Sequence, residues 1–235
     1  MSARQRDVTT QALSTAPTDV YLELGTKRVF ACALEWPGWC RSGKTEEHAL
    51  DALATYATRY AVVAREAGVA FPEARRTAFR IVERLTGSAG YTDFGAPGAV
   101  PTSDHEPLTG AEAAHQAALV RASWVVFDRA AAAAPAELRK GPRGGGRDRD
   151  QVIDHVPSAE AAYARKLGIK HRPPARGDAP AIASLRHAIV AALGAPSDGT
   201  PLVPGGWPPR YAARRIAWHV LDHAWEMEDR SDQTH

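Results

Sequence analysis

Cysteine is nearly absent from this chain: Cys32 and Cys40 are the only two in 235 residues. Two thiols cannot build a disulfide framework, and these two lie too far apart for a Cys-x-x-Cys redox or zinc motif. Long apolar runs are absent as well. Nothing approaches the roughly 18 consecutive apolar residues that a membrane span requires, so a transmembrane role is excluded. An excess of charge of one sign is also missing. Lys and Arg number 29 against 27 Asp and Glu, a formal net charge of +2, which removes any whole-protein electrostatic argument for nucleic acid as a partner. The stretch from Met1 to Pro17 is polar and lacks the apolar core of a secretory signal. With so little cysteine, a reduced cytoplasmic setting is the expectation. What remains is a chain long enough for one large domain or two small ones, each with a buried core.

The pattern along the chain predicts an α+β protein in two regions. After a disordered leader over residues 1–17, the run from Val20 to Leu24 and that from Arg28 to Leu34 read as strands joined by a turn at Gly25-Thr26-Lys27. A turn-rich stretch around Pro37-Gly38 follows, with room for a third short strand from Trp39 to Ser42. Thr45 is a good helix N-cap with Glu46 and Glu47 in the first turn. The helix it opens is expected to run to about Gly68, and Ala78 to Leu85 reads as a last strand. These elements form a unit over residues 18–86. Residues 87–108, rich in Gly, Pro, Ser and Asp, read as a linker.

From residue 109 to residue 230 the pattern is helical. Four helices are expected: Thr109 to about Ala134, Asp150 to about Leu167, Asp178 to about Leu193, and Pro208 to about Arg230. Short connections between them favour an antiparallel bundle.

The most informative chemistry lies in the last of these helices. His219 and His223 are four residues apart, so their imidazoles leave one face on successive turns. His155 sits in the second helix. Three ring nitrogens from two helices would leave a divalent metal with open positions, the layout of catalytic rather than structural sites. Orienting carboxylates would be needed around them. Asp154, Glu160, Asp222 and Glu226 are the candidates, and Glu226, three residues after His223, is the best placed. His115 faces the bundle interior on one reading of its helix, while His48, His105, His171, His187 and His235 have no partner at useful spacing.

The second half resembles the DinB/YfiT-like superfamily of metalloenzymes. The resemblance rests on the second-helix histidine, the helix count and the run Trp218-His219-Val220-Leu221-Asp222-His223-Ala224-Trp225-Glu226, which is close to the motif of actinobacterial members. It implies a four-helix bundle with His155, His219 and His223 as metal ligands, zinc or nickel as the ion, and a low-molecular-weight thiol as cosubstrate in the members that act as thiol transferases. The sequence departs from a regular helix at Pro157, two residues after His155, where a kink or π-bulge is expected.

The first half is similar to HicB-like domains, through its two strands, the Pro37-Gly38 turn and the run Ser42-Gly43-Lys44-Thr45-Glu46-Glu47-His48-Ala49 that opens the helix.

Together these readings predict a metal-dependent thiol S-transferase or hydrolase acting on a small molecule. The competing reading is a metal-stabilised interaction or regulatory protein without turnover. A homodimer is compatible with either. Other tokens carry less. The basic loop from Arg139 to Arg147 lacks the Gly-Lys-Ser/Thr ending of a P-loop and has no strand before it. Trp218 and Trp225, seven apart on one helix face, read as core. Arg41 beside Cys40 would favour its thiolate, against a plainer reading of Cys40 as a structural residue on a short strand.

Overall fold

The computed structural model describes residues 16–141 and 145–231, so the leader expected over 1–17 lies almost wholly outside the described residues. The chain divides into two units, Met1–Pro101 and Thr102–His235. It is an α+β protein, with one four-stranded mixed sheet in the first unit and six α-helices among the described residues.

In the first unit, β1 (Thr18–Leu24), β2 (Val29–Ala33), β3 (Cys40–Gly43) and β4 (Phe79–Thr86) form a sheet of order β3-β2-β1-β4. β1 pairs antiparallel with β2 and parallel with β4. All five residues of β2 are buried, whereas β4 at the edge alternates half-buried and exposed positions, the period of a strand covered on one face. Thr45 caps α1 (Glu46–Thr55), accepting a hydrogen bond from His48 N at 3.2 Å. Gly43 lies so close to this helix that a Cβ there would fall 2.5 Å from Ala49 N, which explains the glycine ahead of the cap.

The single helix expected to reach Gly68 is two helices. It breaks at Tyr56, between α1 and α2 (Ala57–Glu66). The reason is tertiary. The Leu53 carbonyl, which an unbroken helix offers to Ala57, accepts the indole N–H of the fully buried Trp39 at 2.9 Å. Tyr60 on α2 donates to the Pro37 carbonyl at 2.9 Å. Its ring stacks on Trp39, with centroids 5.6 Å apart, and Phe71 closes the cluster edge-on.

Cys32 and Cys40 face each other across the β2–β3 pair, and both are free and buried. Burial, then the neighbouring Cys32, pushes the Cys40 thiol well up despite Arg41. That goes against a thiolate favoured by Arg41 and agrees with the plainer reading of Cys40 as a structural residue on a short strand.

The stretch after β4 is fastened to β1. Glu23, fully buried, accepts from the Thr92 hydroxyl, from Gly98 N at 2.9 Å and from Ala99 N at 2.9 Å. A buried carboxylate requires such donors, and here they come from residues that read as linker.

The second unit holds α3 (Gly110–Ala133), α4 (Arg149–Lys166), α5 (Ala179–Leu193) and α6 (Pro209–Ser231). Their starts follow local chemistry. Thr109 and Glu112 make a reciprocal capping box on α3, Asp148 and Gln151 do so on α4, and Asp178 accepts from Ala181 N on α5. α6 packs against each of the other three helices. Every residue from Tyr211 to Leu221 is buried, as are Trp225 and Met227, so this helix is core on all sides. Its buried Arg214 pairs with the fully buried Asp104.

α4 runs unbroken through Pro157, and no π turn occurs beside His155. Ser158 Oγ donates to the Asp154 carbonyl at 3.0 Å in the turn that the proline enters. The π-bulge expected there is absent. Among the described residues no helix is long and apolar enough to cross a membrane.

Candidate metal centre

α4 and α6 pack against each other, and the contact brings His155 to His219 and His223. One ligand atom from each of the three lies within 4.8 Å of the others. Nε2 of His155 stands 3.1 Å from Nε2 of His219. The three ring centroids are 4.8 to 5.1 Å apart with interplanar angles of 60° to 88°, so the rings converge edge-on rather than stacking. Two nitrogens on one tetrahedral zinc are about 3.3 Å apart, given metal–nitrogen bonds of about 2.05 Å. The observed nitrogen pair is close to that spacing.

The electrostatics favour the neutral form of His219 and of His155. His219 is 8% exposed. Burial above all, then the positive ends of His223 and Arg215, holds it well below the ordinary imidazole range. His155 is half-buried and lies down at about 4, through burial, then Arg147 and His223, with Glu226 opposing. A neutral ring offers a lone pair, which is the form that binds a metal. Without a cation between them, the facing Nε2 atoms of His155 and His219 must share a single proton.

His223 is held from behind. Its Nδ1 lies 2.8 Å from Oε2 of Glu226, and Oε1 of the same carboxylate accepts from Arg230 at 2.7 Å. Burial disfavours the Glu226 charge, but the bonds to His223 and Arg230 outweigh it and keep the carboxyl below its usual range. An ionised Glu226 fixes the proton of His223 on Nδ1 and leaves Nε2 free. Nδ1 of His219 is buried and has no hydrogen-bond partner among the described residues.

Around the cluster, Tyr163 of α4 presents its ring to His219 at 5.5 Å and 89°. The guanidinium of Arg215 lies 5.3 Å from the Tyr163 centroid and 4.6 Å from that of Trp218. Beyond Glu226 a cavity of about 500 Å³ is lined by Arg139, Lys140, Glu226 and Arg230 among others. The basic stretch expected as a loop begins here, tied to α6 by Arg139 N to the Arg230 carbonyl at 3.1 Å, and its residues 142–144 lie outside the described residues.

The remaining candidates fall elsewhere. Glu160 is fully buried but binds Trp124 Nε1 at 2.6 Å and Arg186 at 3.3 Å. Asp154 pairs with Arg176 at 3.1 Å, and Asp222 is half-buried on α6. His115 is half-buried on α3 and outside the cluster. His48, His105 and His187 are exposed, and His171 meets the Arg172 carbonyl at 2.7 Å. His235 lies outside the described residues.

Sequence reasoning missed Arg215, Tyr163 and Arg230. Two of them were within reach of spacing alone: Arg215 is four residues before His219, and Arg230 is four after Glu226, the favourable Glu-to-Arg order on a helix.

No family model, curated protein or solved structure matches this chain.

Proposed function

We propose that the second unit is a metal-dependent enzyme of the DinB-like type, a four-helix bundle in which His155, His219 and His223 hold one divalent ion, zinc or nickel. The observation that carries this reading is the convergence of three buried or half-buried imidazoles from two helices. The donor set fits the ion: three neutral nitrogens supply bonds without cancelling its charge, and three ligands leave open positions.

A divalent ion so held acts as a Lewis acid that lowers the pKa of a bound thiol or water. The chain's own residues set the conditions. Glu226, braced by Arg230, keeps His223 in the tautomer whose Nε2 lone pair points away from the carboxylate. Tyr163 packs against His219 at right angles, and that ligand is only 8% exposed, which limits water there. Neither thiol of the chain belongs to this unit, since Cys32 and Cys40 are buried in the sheet of the first. The attacking atom must then come from a cosubstrate. A low-molecular-weight thiol is our choice: its S–H bond gives up a proton, its sulfur bonds to the electrophilic carbon, and the bond from that carbon to its leaving group breaks. The leaving group departs with the electron pair and takes up a proton; water in place of the thiol is the hydrolytic variant.

The test is turnover of the zinc- and nickel-loaded protein with small thiols and electrophilic acceptors, beside His219→Ala. Thiol-dependent product formation that His219→Ala abolishes, with the helical signal retained, supports the enzyme. Metal binding without turnover for any thiol or for water favours the other reading, a metal-stabilised interaction protein carrying a HicB-like module.

A further inference from the structure

Arg215 is a buried arginine of the second unit with no counter-charge among the described residues. Arg214 pairs with Asp104, Arg186 with Glu160 and Asp128, Arg210 with Glu112, and Arg230 with Glu226. Arg215 is only 7% exposed, yet it makes no ion pair or hydrogen bond with any described residue, and its buried Nη1 has no partner. Its contacts are two aromatic rings, Tyr163 and Trp218. Cation–π contact recovers part of the cost of burying a charge, but it leaves the hydrogen-bonding edge of the guanidinium unanswered.

Position gives that edge a meaning. Arg215 is one turn before His219 on the same helix face, and Tyr163 touches both side chains. If an ion is bound by three imidazoles, its charge adds to that of Arg215, while Glu226, the carboxylate bonded to the cluster, is already shared between His223 and Arg230. The centre then has positive charge in excess and calls for an anion.

We propose that Arg215 is the anion-binding group of this centre, and that the small molecule taken there carries a carboxylate on the same skeleton as the atom presented to His155, His219 and His223. This assignment rests on reading the histidine cluster as a metal centre. A guanidinium is planar and presents its N–H groups as a fork, which suits the two oxygens of a carboxylate. The spacing sets the size of the ligand, because residues four apart on a helix have Cβ atoms about 6 Å apart.

Two thiols that differ in this one group provide the test. The full chain is loaded with cobalt(II), its metal content is measured, and 3-mercaptopropionate and 2-mercaptoethanol are titrated in turn, read by the thiolate-to-cobalt absorption. The carboxylate thiol is expected to bind roughly ten- to a hundredfold more tightly, the range of one charge-assisted contact. Arg215→Met should erase the preference without changing metal content, and Arg215→Lys should keep part of it.

Equal binding of the two thiols to the wild-type chain overturns the proposal and leaves the metal centre standing. So does a preference that survives in Arg215→Met, which would place the carboxylate on the metal. If the chain takes up no metal, the metal reading fails by itself. Arg215 is then judged on the metal-free chain by titration with propionate, read by tryptophan fluorescence. Saturable binding that Arg215→Met or Arg215→Lys weakens supports the anion site, and no binding overturns it.

Discussion

Glu226 is the most revealing residue to perturb, because among the three histidines its hydrogen bond goes to His223 alone. Its carboxylate receives Nδ1 of His223 at 2.8 Å and Arg230 at 2.7 Å. Loss of such an orienting group weakens metal affinity by roughly 10- to 100-fold, or about 1.4 to 2.7 kcal/mol. Glu226→Gln keeps an acceptor for Nδ1 but loses the charge, so it should fall near the lower end. Glu226→Ala removes both and should fall near the upper end. Folding should change far less, since the Glu226–Arg230 pair is partly exposed and such pairs contribute about 0.3 to 1 kcal/mol. The assay is competition for zinc against a chromophoric chelator, with urea unfolding of each variant alongside. Zinc affinity equal to wild type in both variants would refute the account of His223, whatever the effect on stability.

Other perturbations separate the parts of the argument. Trp39→Ala removes the fully buried indole and its bond to Leu53, and should cost about 3 to 5 kcal/mol by urea denaturation of the first unit. Pro157→Ala should leave zinc affinity within about threefold, because α4 already runs unbroken past His155; a loss as large as that from a deleted orienting group would show that the proline positions the ligand. Acid should destabilise the metal-free chain in two stages. His155 folds with a value of about 4 against 6.5 when free, so the unfolded chain binds more protons between these values and stability falls as pH drops from 6.5 towards 4. Glu112 lies at about 2 against 4.5, through its bonds to Thr109, so its stabilisation is complete above 4.5 and is lost as pH falls towards 2. Urea midpoints across this range test both signs, and a flat profile between 6.5 and 4.5 would contradict the first.

What could be read from the chain was what local chemistry decides. Thr45, Thr109 and Asp178 were legible as caps because a cap needs only a short polar side chain and the next three residues. The α+β class and the His219–His223 pair followed from periodicity and spacing, while His155 joined them through the DinB-like resemblance. The break at Tyr56 was not legible, since it depends on the Trp39 indole reaching Leu53 from a distant segment. Glu23 and the stretch from Thr92 to Ala99 were opaque for the same reason: a carboxylate in a strand gives no sign of which backbone amides will meet it. Pro157 was read by its intrinsic effect on a helix, whereas α4 runs on through it with the proline buried. In the site, Arg215 looked like one more arginine in an arginine-rich helix. Only burial and the lack of a carboxylate partner among the described residues mark it out.

The central claim is that His155, His219 and His223 hold one divalent ion. Elemental analysis of the purified full chain after reconstitution with zinc, beside His155→Ala, His219→Ala and His223→Ala, tests it most directly. The account predicts about one equivalent in the wild type, as expected of one three-histidine site, and little in any of the three variants. A wild-type chain that takes up no metal, or variants that retain it, would contradict the account.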